Sequence, residues 1–230
     1  MLGNARKRPL LALVAAILAL GLVAAAALGA VTVYKNRFSN RADARELRHV
    51  EGKHCSKRLR KRANALRVTV KRGREVCGYR PPVEGDAPGP DHRLQVTAKL
   101  LKATPKGVRD GAYVGVAVRV AKDESYELRV FPSRHHFELR RSPAGGGSDF
   151  PATGDSSAIK GTRKSNVVRI EVTGNTVTGK VNGTKVAEAT DTNASEVAGR
   201  KLEVSIGHRR KSSKPVVYAL DNLKVQVPNP

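Results

Sequence analysis

Two hydrophobic patterns divide this chain. The first is continuous: Leu10 to Tyr34 is a run of twenty-five residues without a charge. A bilayer core about 30 Å thick needs about 20 apolar residues as a helix, so the run is long enough to span one. The second pattern begins near Cys55 and has period two, which places alternate residues on opposite faces of a strand. Leu66–Val70, Leu94–Leu101, Tyr113–Val120, Tyr126–Phe131 and His136–Arg141 alternate in this way. In Tyr113–Val120 the four valines share one face and Tyr113, Gly115, Ala117 and Arg119 the other, which predicts a strand inside a two-layer core. Val167–Thr173, Thr176–Val181 and Thr184–Thr190 are separated by Gly174-Asn175 and Asn182-Gly183. These are two-residue hairpin turns, because both residue types accept positive φ. Lys201–Gly207 and Val216–Val227 add two more strands. Helix-forming residues cluster only in Asn40–Glu51, after an Asn cap. The pattern predicts an all-β fold, an antiparallel jelly-roll β-sandwich preceded by one transmembrane helix.

The apolar run has two readings. Arg6, Lys7 and Arg8 precede it and small residues around Ala25–Ala27 and Ala30 resemble a cleavage site, as in a signal peptide. The run is longer than an ordinary signal-peptide core, which favours an uncleaved signal anchor. Basic residues flank both ends, with Lys35, Arg37 and Arg41 following, so the positive-inside rule gives no clean orientation. The cysteine content decides it. Cys55 and Cys77 are the only two, both after the run. A lone pair in an exported domain reads as one disulfide, against the alternative of two separate buried thiols. The expected organisation is therefore a cytoplasmic basic N-terminus (1–9), a span (10–34), a basic stalk (35–54) and an extracytoplasmic sandwich (55–230).

Charge sharpens the picture of partners. Lys and Arg number 43 against 20 Asp and Glu, a formal net charge of +23. The stretch from Lys35 to Arg80 holds sixteen basic and four acidic residues. Such a stretch is attracted to anionic lipid or to acidic envelope polymers, or it serves only as a solvated stalk. Nucleic acid is disfavoured: aromatic residues are 4% of the chain, too few for stacking platforms, and no nucleic-acid-binding motif appears.

Several segments carry a resemblance. Tyr126-Glu-Leu-Arg-Val-Phe131, Phe137-Glu-Leu-Arg140, Ser157-Ala-Ile-Lys160 and Asn166-Val-Val-Arg-Ile170 occur in order. They lead to Val181-Asn182-Gly183 with Lys185-Val186, then to Ala219-Leu-Asp-Asn-Leu-Lys-Val225. The series resembles the concanavalin A-like lectin/glucanase jelly roll, in particular its laminin-G-like and keto-disaccharide hydrolase-like branch, over about Leu66 to Val227. The resemblance implies carbohydrate or protein binding and, in some members, glycoside hydrolysis. Two departures weigh against catalysis. A retaining glycosidase needs two carboxylates about 5–5.5 Å apart, and no Glu-x-Asp-x-x-Glu type of run is present. Asp123-Glu124-Ser125-Tyr126-Glu127 reads as a turn leading into a strand. The chain also has no Trp for stacking sugar rings.

Remaining candidates are loop residues. Arg134, Arg140, Arg141, Arg163, Lys164, Arg209 and Arg210, with Tyr126, form a basic ligand-binding rim if their loops gather at one end. His135 and His136 are adjacent, point to opposite faces of a strand and do not chelate one metal. No metal site or cofactor is expected. Calcium is the one candidate, on Asp191-Thr-Asn193-Ala-Ser195-Glu196, although Glu196 stands where a calcium loop has its glycine. The sequence reading is a membrane-anchored extracytoplasmic binding or adhesion module for acidic glycan or envelope polymer. The alternatives are a glycoside hydrolase and a structural module that docks a partner protein. Oligomeric state is not legible.

Overall fold

The computed structural model describes residues 30–71, 75–83, 91–122, 124–191, 200–209 and 212–227. Thr32–Val227 form one compact unit, and the other unit, Met1–Val31 with Pro228–Pro230, falls almost wholly outside the described residues. In chain order the elements are β1 (Val31–Asn36), α1 (Arg41–Glu46), β2 (Arg48–Glu51), β3 (Cys55–Arg60), β4 (Ala65–Val70), β5 (Val76–Arg80) and β6 (His92–Leu100). There follow β7 (Ala112–Val120), β8 (Ser125–Phe131), β9 (His136–Ser142), β10 (Asp149–Asp155) and β11 (Ser165–Thr173). The last four are β12 (Thr176–Val181), β13 (Thr184–Thr190), β14 (Lys201–His208) and β15 (Val216–Val227).

These strands make two sheets. One has the order β13-β12-β11-β6-β15-β4-β3, with β1 also on β15; the other has the order β10-β9-β8-β7-β14-β5-β2. The alternation read from sequence explains the packing. Val114, Val116 and Val118 of β7, Leu128 and Val130 of β8, and Val204 and Ile206 of β14 face inward from one sheet. Leu94 and Val96 of β6, Val168 and Ile170 of β11, and Tyr218 and Leu220 of β15 meet them from the other. At about 25 cal/mol per Å² of apolar surface removed from water, this interlayer core is the main stabilising contribution.

Residues 35–54, expected as a stalk, are instead built into the sandwich. Phe38 and Leu47 flank α1 and are fully buried. The Asn36 side chain donates to Tyr34 Oη (2.9 Å), Asp43 O (2.8 Å) and Glu46 Oε2 (3.1 Å). Asn40 caps α1 by accepting from Asp43 N (3.0 Å), and the helix stops at Glu46 so that 48–51 can pair with β5. Its two fully buried apolar anchors are separated by a mostly polar helix, which is why the segment reads as solvated. The end of the expected span overlaps a strand. Val31–Tyr34 of the apolar run belong to β1, as suits a β-branched stretch, and the rest of the run lies outside the described residues. Among the described residues no helix is long and apolar enough to cross a membrane.

Cys55 and Cys77 are joined in a disulfide, Cα to Cα 5.8 Å. It ties β3 of one sheet to β5 of the other, across 22 residues of sequence. On the chain-entropy account a loop of that size is worth about 3 kcal/mol.

One residue departs from its expected face. β7 carries a bulge: its pairing with β14 shifts between Lys201↔Val120 and Glu203↔Ala117. Arg119 sits in that bulge with φ 52°. The bulge re-aims its side chain, as bulges do. Arg119 is turned away from the outer face and donates to Asp191 Oδ2 (2.6 Å) and Gly174 O (2.9 Å), linking its sheet to the opposite one.

Candidate functional site

The outer face of the β10–β2 sheet holds a cleft of about 580 Å³. Its floor follows from the strand register. One row across the face reads Glu138, Arg129, Gly115, Ser205, Gly78 and Glu51, on β9, β8, β7, β14, β5 and β2 in turn. The next row reads Arg140, Glu127, Ala117 and Glu203. The centre of the sheet therefore presents small residues, and the flanking strands lay charged side chains over them. A Cβ at Gly115 would stand 2.2 Å from Ser205 Oγ and 2.4 Å from Glu127 Oε1. A Cβ at Gly78 would stand 2.3 Å from Glu203 Oε1. At both positions neighbouring side-chain ends fill the space of a Cβ, so a larger residue would displace Ser205, Glu127 or Glu203.

The charges interlock. Arg129 donates from Nε to Glu127 Oε2 (2.7 Å) and has Nη2 2.6 Å from the same oxygen. Its guanidinium lies over the Tyr113 ring, 4.7 Å from the centroid. Ser205 donates its hydroxyl to Glu127 Oε1. Arg80 Nε is 3.3 Å from Glu203 Oε2. Arg140 donates to Ser148 Oγ from Nε (3.1 Å) and Nη2 (2.6 Å). Ser148 follows Gly145, Gly146 and Gly147, whose φ values of 87°, 96° and 83° only glycine accepts readily, and this loop forms one rim.

Burial and like charge perturb two acids. Glu203 is raised from its ordinary 4.5 to about 7, first by burial, then by Glu51, with Glu127 adding and Arg80 opposing. Glu51 is also raised, by burial and then by Glu127. The cleft thus combines guanidinium donors, carboxylate acceptors and a hydroxyl, a set suited to the paired hydroxyls of a sugar. Among the described residues no aromatic ring lines it; the Arg129 guanidinium, backed by Tyr113, is the flat surface on offer.

The expected basic rim is not one site. Arg140 is in the cleft. Arg209 ion-pairs with Glu138 on the same face. Arg141 pairs with Asp149 (2.6 Å) across β9 and β10. Arg134 lies in the turn after β8 and Arg163 and Lys164 in the loop before β11; the two connections meet through His135 Nδ1 and Ile159 O at 2.6 Å. Tyr126 is 1% exposed and belongs to the core, so no ligand reaches it, and burial raises its phenol to about 12. Arg210 lies outside the described residues, as do 192–199 of the calcium segment. Asp191 of that segment is committed to Arg119. Among the described residues no cluster of ligands suits a metal ion.

No family model and no curated protein matches the chain in sequence. Solved structures do match in three dimensions. A protein of unknown function with galectin-like fold from Bacillus subtilis aligns with TM-score 0.61 and 11% identity, covering 86% of this chain and 97% of its own. The fold is a galectin-like β-sandwich. The carbohydrate binding module CBM66 from Bacillus subtilis aligns at TM-score 0.53 and 11% identity, over 86% and 95% of the two chains. The Crh5 transglycosylase in complex with NAG aligns at TM-score 0.59 and 11% identity, over 86% and 84%. In this galectin-like sandwich the motif residues Asn166 and Asn182 are structural. Asn182 Nδ2 donates to Ala158 O (2.7 Å) and Asn166 Oδ1 (2.9 Å), and Asn166 Oδ1 also accepts from Lys160 N (2.8 Å).

Sequence reasoning missed Glu51, Arg80, Arg129, Glu203 and Ser205, and read Asp123–Glu127 as a turn leading into a strand with no binding role. The carboxylates come from three strands far apart in sequence, so no local spacing exposes them. One signal was present: Gly115 and Ala117 on the outward face of a central strand announce a floor kept clear for neighbours' side chains.

Proposed function

We propose that the chain is a non-catalytic glycan-binding module on the extracytoplasmic side of a membrane, and that the β10–β2 cleft is its binding site. The observation that carries this is the floor of Gly78, Gly115 and Ala117 under interlocked Glu127, Arg129, Glu203 and Arg80. A cleft of about 580 Å³ falls in the usual range for small-ligand sites. Similarity of fold to a carbohydrate binding module supports the class of ligand. The inter-sheet disulfide supports an oxidising compartment. The anchor rests on the uncharged residues 10–30, twenty-one in number, which as a helix reach about 31 Å. Arginines and glutamates nearly balance in the cleft, so it suits hydroxyl-rich sugar more than a polyanion.

The test is calorimetric titration of the full chain with neutral and acidic oligosaccharides. Binding weakened tenfold or more by Arg140→Ala and by Gly115→Val supports the assignment. No binding across the panel, or binding indifferent to both variants, refutes it. One observation favours a second reading, glycoside hydrolysis: Glu203 holds its proton to about pH 7 in the same row as Glu127, one strand removed. Turnover that disappears in Glu203→Gln and in Glu127→Gln would establish that reading instead.

A further inference from the structure

A second recess, of about 410 Å³, lies between α1 and the edge strand β3 and shares no lining residue with the cleft. Arg41, Arg45, Lys57, Arg58 and Lys61 surround it, over a floor that includes Leu59 and Leu66. Arg41 and Arg45 are four apart on α1 and share a face, an arrangement that costs a helix stability when the charges are alike. Arg58 stands directly opposite Arg67 of β4, a second like-charge pair. The acids of α1 are turned elsewhere. Asp43 Oδ2 accepts from Ser39 N and Oγ (both 2.8 Å), and Glu46 Oε2 accepts from Tyr34 (3.1 Å). Lys57 is tied beneath the recess, its ammonium donating to Ala44 O (2.8 Å) and to Leu47 O.

The other four cations are exposed. Among the described residues none of them has a carboxylate within ion-pair distance, whereas Arg80, Arg93, Arg129 and Arg169 in the sheets are all paired. The fold brings these four uncompensated cations around one groove.

We propose that this groove binds a linear phosphate-bearing polymer of the extracytoplasmic space. Three arginines favour phosphate, whose oxygens match the guanidinium fork. Because the cations line a recess, they fit a single chain better than a flat bilayer surface. The disulfide places the domain where nucleic acid is not the usual polyanion. This site is independent of the cleft, and neither assignment falls with the other.

Inorganic polyphosphate titrated onto the full chain in neutral detergent tests it. Four cations meeting four phosphates give a slope of log K against log salt of about −2.8, hence about a 50-fold loss between about 50 and 200 mM salt. Arg58→Gln with Lys61→Gln, and separately Arg41→Gln with Arg45→Gln, should each halve the slope and reduce that loss to about 7-fold. Lys102→Gln with Lys160→Gln removes the same charge from exposed positions outside the groove and should change neither. An unchanged slope in both groove pairs, or an equal change in the control pair, overturns the proposal. A third arm adds phosphatidylglycerol to the detergent micelles. Unchanged polyphosphate affinity supports the polymer, and a groove-dependent loss assigns the site to lipid headgroups and overturns it.

Discussion

Replacing Glu203 by Gln should make the protein more stable at alkaline pH, against the usual expectation for removing one side of an ion pair. Glu203 is buried beside Glu51 and Glu127, and the Arg80 contact at 3.3 Å does not offset this: its carboxyl is raised from 4.5 to about 7. Between those two pH values the unfolded chain has released the proton and the folded chain still holds it. Stability therefore falls as pH rises, by up to about 1.4 kcal/mol per pH unit, and levels off once the folded-state carboxyl has ionised. The gap between 4.5 and about 7 amounts to about 3 kcal/mol of folded-state cost by about pH 8. Gln cannot ionise and keeps an oxygen facing Arg80. Urea unfolding, followed by far-ultraviolet circular dichroism near pH 4.5 and near pH 8, should show Glu203→Gln gaining about 3 kcal/mol on the wild type between the two conditions. Taking the difference between the two proteins cancels titrations common to both. If their stability difference is the same at both pH values, within about 0.5 kcal/mol, the reasoning about burial and like charge is wrong.

Arg119→Ala leaves Asp191 buried at 0% exposure with no counter-charge and should cost about 3–5 kcal/mol in denaturant unfolding. Gly115→Ala puts a methyl 2.4 Å from Glu127 Oε1, so it should cost about 1–3 kcal/mol and weaken oligosaccharide binding in calorimetry. Cys55→Ser with Cys77→Ser removes the inter-sheet link and should cost about 3 kcal/mol, read as a lower urea midpoint against the oxidised wild type.

Much of the core was legible from the chain alone. The valines of β7, the turns at Gly174-Asn175 and Asn182-Gly183, and the pairing of two lone cysteines are local or compositional signals. They led to an all-β sandwich, which the protein adopts. The strands that escaped were β1, β2, β3, β5 and β10. Three of these, β2, β3 and β10, are sheet edges, where charge, Pro and Gly guard against further pairing and erase the alternation that marks a strand. Alternation also misassigned Arg119, because one bulge residue with φ 52° reverses which face a side chain takes.

The sequence by itself determined which residues go inside, because burial depends on hydrophobicity and period, and both are written along the chain. It also fixed the excess of positive charge. Only the tertiary structure decided what that charge does. It brought Glu51, Glu127 and Glu203 from three strands onto one glycine floor and matched Glu127 and Glu203 with arginines there, and it left Arg41, Arg45, Arg58 and Lys61 unmatched around a groove. The field at a site depends on distances between residues remote in the chain, and those distances exist only once register and sheet order are set.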